Sequence, residues 1–183
     1  MWAARSGRII ALPMTSPTTA PHAPGLTLRG VTPPLRLADF KLIAFDMDST
    51  LINIECVDEI ADAAGRKAEV AAITEAAMRG EIADYKESLR QRVALLEGVP
   101  VSALESVYRE RLQLNPGAEA LVQACQRAGL KTLLVSGGFT FFTNRVAERA
   151  GFHDNKANTL LDDGKALTGQ VRDRQNQRHD SHR

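Results

Sequence analysis

Phe40-Lys41-Leu42-Ile43-Ala44-Phe45-Asp46-Met47-Asp48-Ser49-Thr50 is a short apolar run that ends on two carboxylates. Its length and scarcity of polar side chains predict a central parallel strand, buried on both faces, over 40–46. Three helical signals follow with no strand between them: 55–64 stopped by Gly65, 67–79 stopped by Gly80, and 82–97 stopped by Gly98. In the third, Ile82, Tyr85, Leu89, Val93 and Leu96 step along one face. Ser102 with Glu105 reads as a capping box opening a fourth helix, and Asn115-Pro116 opens a fifth that ends at Gly129. A second apolar strand, Leu130-Lys131-Thr132-Leu133-Leu134-Val135, leads into Ser136-Gly137-Gly138 and a helix reaching Ala150. Asp163-Gly164 then punctuates a hairpin near 158–171. This order predicts an α/β fold: a doubly wound, Rossmann-like parallel sheet over 39–51 and 115–171, with a helical cap, 52–114, inserted after the first strand.

The 183 residues are 44% hydrophobic and 25% charged, as in a soluble globular domain. Lysine plus arginine (23) almost balance aspartate plus glutamate (22), but residues 39–171 hold 15 basic and 20 acidic side chains, a net charge of −5. That balance argues against a nucleic-acid surface. No apolar run approaches the roughly 18 residues of a membrane span, and Ile9-Ile10-Ala11-Leu12 before Pro13 is too short for a secretory core. Cys56 and Cys125 have no metal or disulfide spacing and read as reduced core thiols, which fits a cytoplasmic protein. Six of the eight prolines fall within 13–34, so 1–38 reads as a disordered arm. Its acid-free Arg/Ser/Thr composition also has the look of an organellar transit peptide.

Asp46 and Asp48, at i and i+2 where a strand ends, project to the same side if the backbone stays extended. Ligand sites of α/β sheets lie beyond the carboxyl ends of strands. Two carboxylates held that close repel unless a cation shares them, and a hard divalent ion such as Mg²⁺ suits oxygen ligands. One carboxylate can then attack a phosphoryl group while the other moves protons. The competing reading is an Asx turn that merely closes the strand. Ser136-Gly137-Gly138, between a strand and a helix, offers backbone N–H groups to phosphate oxygens, or is only a turn. The two strand ends together, some ninety residues apart across a helical insert, are far more specific than either alone.

The chain resembles the phosphoserine phosphatases of the haloacid dehalogenase superfamily. The resemblance rests on Phe45-Asp46-Met47-Asp48-Ser49-Thr50-Leu51, Glu55, Asp58-Glu59-Ile60-Ala61, Ser88-Leu89-Arg90-Gln91-Arg92-Val93, Val135-Ser136-Gly137-Gly138-Phe139 and Leu167-Thr168-Gly169. It implies Mg²⁺-dependent hydrolysis of O-phosphoserine, the last step of serine biosynthesis. Asp46 would be the nucleophile and, with Asp48, would hold the metal. Asp48 would act as general acid and then base. Glu55 and Arg92 would grip the amino-acid part of the substrate, and Ser136 with Gly137 its phosphate. The charges agree, because an ammonium needs a carboxylate partner and a carboxylate suits the arginine fork. Arg90 turns to the other flank of its helix, and Tyr85 stands where many relatives carry phenylalanine.

One part of the family pattern is missing. The resemblance calls for a phosphate-neutralising lysine and a Gly-Asp-Gly-x-Asn-Asp segment after the Leu167-Thr168-Gly169 hairpin, and neither is present. Lys165 belongs to the hairpin itself. Residues 172–183 carry no apolar side chain, so the expectation is a chain truncated or frameshifted after about Val171, with the C-terminal part of its core and its third acidic metal ligand absent. His179 and His182, spaced i and i+3 in that tail, are a weak metal pattern. Other readings remain open: a related small-metabolite phosphatase or phosphotransferase, or a catalytically dead fragment.

Overall fold

In the computed structural model, the carboxyl ends of the first two strands stand side by side. The structure describes residues 36–172. Most of the proline-rich arm and the tail from 173, including His179 and His182, lie outside the described residues. Leu37–Asp39 form a single 3-10 turn. The sheet contains β1 (Leu42–Asp46), β2 (Lys131–Phe139), β3 (Asp154–Asp162) and β4 (Leu167–Arg172), in that spatial order. β1, β2 and β3 are parallel and β4 is antiparallel to β3, giving the expected α/β sheet a mixed edge. Leu42 lies beside Lys131 and Asp46 beside Val135, so Asp48 and Ser136 emerge next to each other just past the ladder.

Between β1 and β2 run α1 (Cys56–Ala63), α2 (Lys67–Met78), α3 (Tyr85–Ala94), α4 (Val101–Ser106), a π-helical turn (Val107–Arg111) and α5 (Ala118–Arg127). α6 (Thr140–Ala150) carries the chain from β2 to β3. The helical segment leaves and returns through one gate. Ile52 bridges Leu114, Asn53 N–H donates to Gln113 O at 3.0 Å, and Asn115 N–H donates to Leu51 O at 2.9 Å. Its far end is tied to the hairpin, where Gly98 N–H donates to Leu167 O and Leu167 N–H to Val99 O. Gly169, at φ +72°, fits against Glu97 and Ala94, leaving a Cβ only 3.0 Å from the Glu97 side chain. A larger residue there would push the hairpin off α3.

One buried cluster runs from the sheet into the helical segment. It joins Leu134 and Phe139 of β2 and Phe142 and Val146 of α6 to Ile60, Val70, Val93, Leu96 and Val107. On α5, Ala118, Val122 and Cys125 are buried at the spacing of a single helical face. Both cysteines are buried and free. No described helix is long and apolar enough to cross a membrane.

Four expectations need correction. β1 is not buried on both faces: Leu42 is 56% exposed, because among the described residues β1 has a neighbour on one side only. α3 starts at Tyr85 rather than 82, since Asp84 caps it by accepting from Lys86 N–H at 3.0 Å. Ser102 is not a cap. Val101 N–H donates to Lys165 O at 2.9 Å, so α4 begins at Val101 with its first amide already satisfied. β3 reaches back to Asp154, well before 158, because its polar first residues Asp154-Asn155-Lys156 pair with β2 without any apolar alternation to announce them.

Phe142 has no exposed surface and anchors α6, whereas Leu121 on α5 is 49% exposed. Phe142→Ala is therefore expected to lower unfolding free energy by about 3–5 kcal/mol, and Leu121→Ala by no more than about 0.5 kcal/mol. Urea denaturation of the two variants measures the difference.

Candidate active site

The turn after β1 is wound tightly around one carbonyl. Met47 O accepts from the N–H groups of Thr50, Leu51 and Ile52 at 3.3, 2.9 and 3.0 Å, and Ser49 takes the left-handed conformation at φ 51°. A non-glycine residue in that region is mildly strained, and the three bonds to Met47 hold it there. The turn directs Asp48 at the start of α1, where Asp48 Oδ1 accepts from Cys56 N–H at 2.9 Å. A carboxylate is favoured at a helix N-terminus by the free N–H groups and the dipole. Asp48 Oδ2 accepts from Ser136 Oγ at 2.6 Å, which joins the ends of β1 and β2. Asp46 Oδ2 accepts from Thr50 Oγ1 at 3.1 Å.

These strand ends open onto a cleft of about 170 Å³ lined by Asp46, Asp48, Glu55, Arg92, Gly137 and Gly138, with Val57, Tyr85, Leu89 and Phe139 completing its wall. Five of the six residues singled out from sequence, Asp46, Asp48, Glu55, Arg92 and Gly137, line it together. The sixth, Ser136, is 1% exposed and stands behind Asp48, with Gly138 N–H donating to its Oγ at 2.7 Å. Arg92 sits on the cleft side of α3, its Nε donating to Ser88 O at 3.4 Å, while Arg90 is exposed and pairs with Glu87. Tyr85 reaches across from α3 to donate its hydroxyl to Gly137 O at 3.3 Å. A Cβ on Gly137 would overlap that hydroxyl, so glycine is required for this contact.

Three carboxylates and one arginine face the cleft. Burial pushes the Glu55 carboxyl above its ordinary value of 4.5, partly offset by a hydrogen bond from Ser49 and reinforced by the charges of Asp48, Asp58 and Asp46. Burial also pushes Asp58 upward, with Arg92 and Lys67 pulling it back. Asp58 Oδ1 is buried with no hydrogen-bond partner. Sequence reasoning gave Asp58 no role, since an acid on the first turn of a helix looks like ordinary dipole complementation. The Cys56 thiol is pushed far up by burial and by Asp48, which makes it inert.

Asp46 and Asp48 suit a hard divalent ion in donor chemistry. They form a partial set: among the described residues no group of three or more His, Cys, Asp or Glu side chains converges as metal ligands would.

The family model for haloacid dehalogenase-like hydrolases matches residues 43–182. The chain belongs to that family. Among relatives of the chain, the phosphoserine phosphatase of Polaromonas sp. (strain JS666) is 70% identical over 151 residues, covering 82% of this chain and 64% of that protein. That of Albidiferax ferrireducens is 69% identical with the same coverage. The chain thus spans about 64% of the length of these curated relatives. A solved phospho-aspartyl intermediate analogue of phosphoserine phosphatase superposes with a TM-score of 0.66 at 42% identity, covering 73% of this chain and 63% of that one. A substrate-bound phosphoserine phosphatase gives 0.67 at 39% identity, with 73% and 62% covered.

The Glu55 environment has a measurable consequence. A carboxyl whose value is raised by folding binds its proton more tightly in the native state, so its ionised form costs stability at neutral pH. Glu55→Gln is expected to melt higher than the unaltered chain near neutral pH. The gap should close as the pH falls through the raised value and vanish below 4.5. Thermal denaturation across that range gives the sign directly.

Proposed function

We propose that this chain carries the reacting part of a cytoplasmic phosphoserine phosphatase, hydrolysing O-phosphoserine to serine and phosphate with Mg²⁺ as cofactor, as the last step of serine biosynthesis. The observation that carries the reading is the convergence of Asp46, Asp48, Glu55 and Arg92 on one small cleft. A metabolite that bears a phosphate, an ammonium and a carboxylate matches that set group for group. The naming of close relatives and of structural neighbours at 42% and 39% identity as phosphoserine phosphatases supports the same substrate.

In the proposed reaction an Asp46 oxygen attacks phosphorus and the P–O bond to the serine oxygen breaks. Asp48 gives its proton to that departing oxygen. A water then attacks the phosphorus of the aspartyl-phosphate, Asp48 takes the water proton, and the Asp46 carboxylate leaves, so the net consumption is one water. Asp46 and Asp48 would hold Mg²⁺, which when bound supplies positive charge against the phosphoryl oxygens. Asp46 is suited to attack because it lines the cleft while Thr50 Oγ1 holds its Oδ2 at 3.1 Å. Asp48 is held at both oxygens, by Cys56 N–H and Ser136, as a group that must stay in place through two proton transfers should be. Glu55 would meet the substrate ammonium and Arg92 its carboxylate. Gly137 and Gly138 would lie against the phosphate, with Ser136 acting through Asp48 and the glycine turn.

Two expected outcomes test the reading. Asp46→Asn should abolish phosphoserine turnover, and near-normal turnover in that variant would overturn the proposal. Arg92→Ala should weaken the use of phosphoserine by about ten- to a hundredfold, the worth of a charged bidentate contact, while a phosphate ester lacking a carboxylate is affected far less. Arg90→Ala should spare both substrates, and equal losses on both substrates in Arg92→Ala would make Arg92 a structural residue.

A further inference from the structure

At Ser136-Gly137-Gly138, β2 leaves its ladder. Val135 is the partner of Lys156 and Phe139 the partner of Asn158, so three residues of β2 stand against Ala157 alone. Peptide groups lifted out of a ladder need other partners, and here side chains supply them. Gly137 O accepts from Asn158 Nδ2 at 2.7 Å and from the Tyr85 hydroxyl at 3.3 Å. Gly138 N–H donates to Ser136 Oγ at 2.7 Å, and Ser136 Oγ donates to Asp48 Oδ2 at 2.6 Å. The Gly137 carbonyl and the Gly138 N–H belong to one planar peptide, so whatever fixes one orients the other. Tyr85 is 58% exposed and its bond is long, while Asn158 is 7% exposed and its bond is short. Asn158 is the stronger restraint.

We infer that Asn158 is a positioning residue for the acid–base carboxylate, acting through the Gly137–Gly138 peptide. Its amide holds the Gly137 carbonyl, which keeps the Gly138 N–H on Ser136 Oγ. A hydroxyl has one proton, and once an N–H occupies one side of its oxygen that proton is directed to the other side, onto Asp48. Asn158 is not itself among the residues that line the cleft, and it meets that wall through the Gly137 carbonyl. Its turnover consequence rests on the function proposed above, while its structural consequence does not.

The test uses the full chain with Asn158→Asp, which keeps the side-chain shape but has no N–H to donate, and Asn158→Ala. Asn155→Ala serves as the comparison, since Asn155 lies on the same strand but accepts from Thr143 Oγ1 at 2.8 Å, away from the glycine turn. Both Asn158 variants should shift the Gly138 amide resonance in ¹H–¹⁵N spectra and speed its hydrogen exchange by about tenfold or more. They should lower kcat on phosphoserine about ten- to a hundredfold with KM within about threefold. Asn155→Ala should lower the thermal midpoint and leave the Gly138 resonance in place. An unmoved Gly138 amide in the Asn158 variants, or an equal shift in Asn155→Ala, would overturn the inference. Absence of turnover in the unaltered chain would count against the proposed function, and the amide readout would still decide the role of Asn158.

Discussion

A single hydrogen bond, from Ser136 Oγ to Asp48 Oδ2 at 2.6 Å, joins two strand ends that are 88 residues apart in the chain. Much of the site's geometry depends on it. The parallel register sets Asp46 beside Val135 and brings the two turns together, but the register alone leaves the turns free to splay. The hydroxyl, the Cys56 N–H and the Gly138 N–H then share Asp48 and Ser136 between β1, α1 and β2. Charge-assisted bonds of this kind are about twice as strong as neutral ones, and a partly buried setting raises the cost of losing either partner.

The same junction explains why the site is costly to the fold. Asp46, Asp48 and Glu55 are gathered at one cleft with Arg92 as the cation lining it. Burial raises the Glu55 and Asp58 carboxyls, reinforced at Glu55 by its acidic neighbours and opposed at Asp58 by Arg92 and Lys67, so keeping them ionised works against folding. The fold offsets this with a continuous apolar cluster from β2 and α6 into the helical segment, and with two sets of backbone bonds, at Ile52/Leu114 and at Leu167/Val99, that keep the segment over the strand ends. A site strained by function and supported from elsewhere is a common division of labour in enzymes.

Much of this was legible in the sequence. The apolar run into Asp46 and the glycine stops after the helices mark local structure, the pairing of the Asp46-Asp48 and Ser136-Gly137-Gly138 strand ends is more specific than either alone, and the family resemblance adds Glu55 and Arg92; five of the six expected site residues line one cleft. What sequence could not show is what depends on distant partners. The exposure of Leu42 reflects which strands flank β1. The start of α4 was hidden because Val101 finds its acceptor in Lys165, across the hairpin. Ser136 looked like a residue facing phosphate, but its hydroxyl is turned to Asp48, a contact set by sheet register rather than by the motif. Asn158, inside a polar strand, carried no sign that its amide reaches the Gly137 carbonyl.

The most direct measurement is a double-mutant cycle on unfolding free energy, comparing the unaltered chain with Asp48→Asn, Ser136→Ala and the pair. The cycle cancels the relief of Asp46–Asp48 repulsion that Asp48→Asn brings on its own. If the Ser136–Asp48 bond organises the junction, the two changes will be coupled by about 1.5–3 kcal/mol, the range for hydrogen bonds to a charged group. Additivity within about 0.5 kcal/mol would contradict the account, because the strand ends would then be held together by register alone.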